Sequence, residues 1–238
     1  MLINFKTMAK EEIKSNILSS LKDKSAIKQL VHDNTLQVLN EVKGILQDLM
    51  SELNEKLRDT DQRVHLEYTD NGLYGAQIKI AGDLLIFAMH SNVFEFDRSH
   101  GVWKTSYVQA DRMASYCGII NIYNFLADSF KYNRSQDLGY LVGRIFVNKD
   151  MHYFTEGKRQ LGFFFNNFGN EKLNKTSLSN IINLAINYTL EFDLLVPPYD
   201  AVKIASVEQI SDRIQLSKLR TGKRLGFQFN SDDVTASP

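Results

Sequence analysis

The chain has 238 residues, 43% of them apolar and 24% charged, with 28 basic side chains balancing 28 acidic ones. That length fits one large domain or a domain with a helical appendage, and the composition excludes wholesale disorder. Zero net charge argues against a dedicated nucleic-acid or anionic-membrane protein, although a local basic face is compatible with a neutral total.

Cys117 is the single cysteine, so an intramolecular disulfide and a cysteine-based zinc site are both excluded. The amino end carries no apolar signal core, and no run approaches the roughly 18 apolar residues needed to span a bilayer. A soluble cytoplasmic protein without a membrane segment is the expectation.

Residues 8–59 read as helix. Ile13, Ile17, Leu18 and Leu21 mark the apolar stripe of a short first helix. A longer second helix starts near Asp33 or Asn34, either of which suits an N-cap. Along it Leu39, Val42, Leu46, Leu49 and Leu53 alternate steps of three and four, an a/d seam of about two and a half heptads. Such a seam packs either on the protein's own sheet or on a partner, including a second copy of the chain.

From Arg63 the period changes to two. Val64, Leu66 and Tyr68 alternate with His65, Glu67 and Thr69, and Asn71-Gly72 is a strong hairpin signal because both residues accept positive φ. A return strand carries Ala76, Ile78 and Ile80 inward, with Gln77 and Lys79 outward. Gly82-Asp83 turns the chain into Leu84–His90, apolar on both faces. Val93–Phe96 and Val102–Val108 follow as further strands of an antiparallel meander over residues 63–108.

Asp111 to Lys131 reads as a helix with a broad apolar face that includes Cys117, a thiol expected to be buried and inert. A second meander occupies 138–168, with a turn at Asn148-Lys149-Asp150. A helix from Thr176 or Ser177 must end before Pro197-Pro198. Ser206 and Gln209 form a capping box for a last helix reaching Leu219, Arg224–Phe229 reads as a strand, and 231–238 as a flexible tail. The predicted architecture is therefore α+β, with antiparallel β-meander sheets packed against helices and a long N-terminal helical segment. Its divisions are a helical segment at 1–60, an α+β domain at 61–230 and the tail.

Chemistry is sparse. His32, His65, His90, His100 and His152 show no metal-ligand spacing, and no nucleophile elbow or phosphate loop occurs. Neither a metal nor a cofactor is expected. Two nearly repeated segments, Gly157-Lys158-Arg159 and Gly222-Lys223-Arg224, place Lys158, Arg159, Lys223 and Arg224 as candidate ligand-binding cations near aromatic runs. Base stacking or phosphate clamping is compatible with that mixture but disfavoured by the neutral charge.

The fragment Glu156-Gly157-Lys158, preceded by Asp137, resembles the acidic residue and E-x-K of metal-dependent nucleases of the PD-(D/E)xK type, over about twenty residues and without the motif's proline. The resemblance implies carboxylates binding a divalent ion and a lysine positioning water. The favoured expectation is a non-catalytic interaction or ligand-sensing module that self-associates through its N-terminal helices. The alternative is a metal-dependent phosphodiesterase or nuclease using Asp137, Glu156 and Lys158.

Overall fold

The computed structural model describes residues 2–61, 63–135, 137–162, 168–191, 199–204 and 206–207. Helix α1 (Leu2–Ser20) runs through a π-helical turn at Leu21–Ser25 into α2 (Ala26–Lys56). The expected break near Asp33 is absent. Asn34 does not cap a helix; its side-chain amide donates to the carbonyls of Asn148 and Lys149 at 3.1 and 2.9 Å.

Strands β1 (Leu66–Asp70), β2 (Gly75–Ile80), β3 (Asp83–Met89), β4 (Phe94–Glu95), β5 (Tyr116–Leu126), β6 (Tyr140–Asn148) and β7 (Tyr153–Gly157) form one antiparallel seven-stranded sheet. Its order is β1-β2-β3-β5-β6-β7, and β4 pairs with the start of β5. The two expected meanders are thus halves of a single sheet, joined where β3 pairs with β5 in the register Asp83↔Leu126 to Met89↔Ile120.

That junction corrects the largest misreading. Residues 116–126 form the strand at the centre of the sheet, not the middle of a helix. Ile120 and Ile122 point into one core while Cys117 and Ile119 join another. A strand buried on both faces is apolar throughout, so its pattern is indistinguishable from that of a wide-faced helix. The expected strand at 102–108 is likewise helical, as a 3-10 turn at Gly101–Lys104 followed by α3 (Ser106–Ala110). Thr105 sets this by capping: its side chain accepts from the Val108 amide, as His100 accepts from Val102.

One face of the sheet is roofed by α2 and by α5 (Lys175–Leu190), whose N-cap is Asn174. Val31, Val38, Leu39, Val42 and Leu46 are buried along α2, and Ile181, Ile182 and Ala185 along α5. Each fully buried leucine here contributes about 1.5–3 kcal/mol. The helix seats closely because Thr35 of α2 lies over Gly118 of β5, where a Cβ would stand 2.0 Å from the threonine Oγ1.

Among the described residues, the opposite face is covered at one end. Val102, Val108 and Ala114, from the helical insert between β4 and β5, pack on Phe146, Phe154 and Phe168. At the other end stands α4 (Ala127–Lys131), directly after β5. The short α6 (Tyr199–Val202) follows α5. The expected last helix at 206–219 beyond Val207, the strand at 224–229 and the tail lie outside the described residues.

Candidate functional site

Between the covered end and the edge strand, the outer surface of β1–β3 is open among the described residues. Alternation places His65, Glu67 and Thr69 beside Gln77 and Lys79, because Glu67 and Lys79 are directly paired across β1 and β2. The chain leaves β5 at Leu126 and turns at once into α4, so Phe130 and Lys131 form a wall over this floor. Floor and wall enclose a cleft of about 830 Å³.

Its apolar lining comes from Leu84, which is buried, and from Leu126 and Phe130. The Phe130 ring is half-exposed and set edge-on against Phe125 at 5.4 Å between centroids. The polar lining is ordered by Glu67, whose Oε1 takes both the Lys79 ammonium and His65 Nε2, the latter at 2.8 Å. The Lys79 hydrogen bond holds the Glu67 carboxyl below its ordinary range, against the opposing effect of burial. Arg63 at the rim is paired with Asp61, while the Lys131 ammonium sits 5.2 Å from the Tyr132 ring centroid.

The residues singled out in the sequence are scattered. Asp137 is buried beside the Arg134 guanidinium at 3.2 Å and accepts from the Ser129 hydroxyl at 2.7 Å. Glu156 is on the outer face, bonded to Arg144 directly opposite it on β6, with His100 Nε2 at 3.6 Å. Lys158 instead lines a small hollow against Leu184 and Glu191 of the roofed side. The two carboxylates share no partner and the lysine is turned to the other side, so the arrangement that the nuclease resemblance implies is not assembled. Among the described residues no group of three His, Cys, Asp or Glu side chains is placed to hold a metal ion.

Arg159 is tied to Glu191 at 2.5 Å and lies over the Tyr188 ring. Lys223 and Arg224, with Phe163, Phe165 and Phe227, lie outside the described residues. Tyr153 and Phe154 are buried, so they offer no stacking surface. Leu39, Val42 and Leu46 are sealed against the chain's own sheet, with Leu49 and Leu53 half-buried on the same cluster. Cys117 is fully buried, and burial pushes its thiol up, away from thiolate reactivity.

One polar cluster was not anticipated. The Asn148 amide donates to the Tyr107 hydroxyl at 3.0 Å and to the Ala114 carbonyl at 3.2 Å, and its oxygen accepts from the amides of Asp150 and His152. Tyr107 in turn donates to Asp150, and Lys149 bridges Asp150 and Asp111. Burial, and then the Asp150 bond, pushes the Tyr107 hydroxyl far up. The cluster clamps the β6–β7 turn to the helical insert, a structural task that consumes its donors.

Another exposed feature is α1 with the π-helical turn that follows it. Ile13, Ile17, Leu18 and Leu21 are each more than half exposed, and every residue from Glu11 to Ala26 is exposed. Among the described residues no helix is long and apolar enough to cross a membrane. The chain matches no protein-family model, no curated protein and no solved structure.

Proposed function

We propose that the protein is a non-catalytic interaction module that self-associates through its first helix. The observation that carries this is the exposed stripe Ile13, Ile17, Leu18 and Leu21. The seam on α2 is already occupied within the chain, so the association surface moves to α1. An apolar stripe left in water gains free energy when covered, at roughly 25 cal/mol per Å².

Charge favours a second copy as the cover. Glu11, which pairs with Lys14 at 3.0 Å, and Lys22 stand at opposite ends of the stripe. An antiparallel pair related by a two-fold axis brings Glu11 of each chain opposite Lys22 of the other, an isologous contact. The chain's zero net charge opposes no such approach.

Size-exclusion chromatography with light scattering on the full chain tests it. The expected result is a concentration-dependent dimer that Ile17→Asp with Leu21→Asp converts to monomer while the melting temperature holds. A chain that stays monomeric into the millimolar range refutes the proposal.

A further inference from the structure

The cleft beneath α4 is a second feature, independent of the helix stripe. We propose that it binds a small amphipathic monocarboxylate, an apolar body on a single anionic head. The size is right, because about 830 Å³ falls within the range of small-molecule sites, roughly 300–1,000 Å³. The shape is held by backbone: the floor is three paired strands, and the wall is a helix begun directly by the strand that pairs with β3.

The body of the ligand is dictated by what it would cover. Leu84 and Leu126 line the cleft, and the Phe130 ring leaves half its surface to water while packing edge-on against Phe125. A flexible aliphatic or aromatic segment laid along them removes that surface from solvent without disturbing the sheet.

The head is dictated by charge. Three permanent cations, Arg63, Lys79 and Lys131, line the cleft against two carboxylates, Glu67 and Asp128. Glu67 is satisfied by Lys79 and His65. Lys131 forms no ion pair among the described residues and rests on the face of Tyr132, which leaves its ammonium able to meet an incoming carboxylate. With Arg63 held by Asp61 and Lys79 by Glu67, Lys131 is the lining cation left to meet a single negative charge. A phosphate or a dicarboxylate would meet Glu67 and Asp128 without enough donors to offset them.

Isothermal titration of the full chain with decanoate is the test, with decylammonium and inorganic phosphate as competing probes. The expected result is one saturable site per chain, with a Kd of about 10–100 μM, and no saturable binding of either competing probe. Lys131→Glu, at an exposed position, is expected to weaken decanoate about tenfold. Ala127→Trp, which fills the cleft, is expected to abolish binding, with circular dichroism reporting its fold. Should the tryptophan variant unfold, Lys131→Glu alone decides. No saturable decanoate binding, equal binding of decylammonium, or an affinity unchanged by Lys131→Glu overturns the assignment. These outcomes are separate from the light-scattering result, so either proposal can fail without the other.

Discussion

Replacing Gly118 with alanine is the sharpest perturbation of the fold. The added methyl would lie 2.0 Å from Thr35 Oγ1, 2.8 Å from its Cβ and 2.9 Å from its Cγ2. Carbon contacts are comfortable at about 3.5–4.0 Å, so the threonine cannot simply lean away. Its hydroxyl donates to the Val31 carbonyl at 2.6 Å, and rotating Oγ1 clear would break that buried bond. Helix α2 must therefore back off by roughly 1 Å at the turn around Thr35, loosening Val38, Leu39 and Val42 together. Overpacking of this kind costs about 1–3 kcal/mol, and the backbone-bound obstacle puts Gly118→Ala near the upper end. Thr35→Gly removes all three clashing atoms at a helix-propensity cost of about 0.3 kcal/mol. The double variant is thus expected to be more stable than Gly118→Ala alone. Urea unfolding followed at 222 nm measures each corner of the cycle. A Gly118→Ala protein within about 0.5 kcal/mol of the parent, or two changes that simply add, would refute this account of how the helix is seated.

Two further outcomes follow from buried polar groups. Asp137→Ala strips the buried Arg134 of its carboxylate and orphans the Ser129 hydroxyl, with an expected loss of about 3 kcal/mol in thermal or urea unfolding; a neutral result would mean that the pair is solvated. Burial pushes the Tyr140 hydroxyl up to about 12, with the Asn124 hydrogen bond opposing. An unfolded tyrosine ionises near pH 10. Its contribution is therefore complete below about pH 10 and is lost as pH rises towards 12, because the unfolded chain releases its proton first. Absorbance at 295 nm should show Tyr140 ionising late or only with unfolding, and Tyr140→Phe should flatten the alkaline fall in stability.

Legibility followed burial. The β1–β2 and β2–β3 hairpins could be read because one face of each outer strand is wet, so Glu67, Gln77 and Lys79 alternate cleanly with Leu66, Ile78 and Ile80. The same alternation placed the polar floor of the cleft correctly. It failed for β5, where Cys117, Ile119, Ile120 and Ile122 face two cores at once and period two disappears. The 102–108 segment failed for a local reason: Val102, Tyr107 and Val108 suit a strand, but Thr105 caps a helix between them. The α2 seam was legible as a seam, yet spacing alone carries no information on whether the opposite surface belongs to the same chain. The Tyr107–Asp150 bond spans a sequence distance of 43 residues and leaves no local trace.

These failures are connected, and the connection bears on function. Read as a helix, residues 111–131 would have packed against the sheet as a covering layer. As the central strand, residues 116–126 instead join two hairpin systems into one wide sheet, with a 3-10 turn at Arg112–Ser115 before it and the helix Ala127–Lys131 after it. A five-residue helix at the end of a strand cannot cover three neighbouring strands; it overhangs them. The cleft is the geometric consequence, formed where an outward-facing polar floor meets an overhang that carries Phe130 and Lys131. Its apolar lining and the Lys131 ammonium beside it come from that conjunction rather than from any local motif.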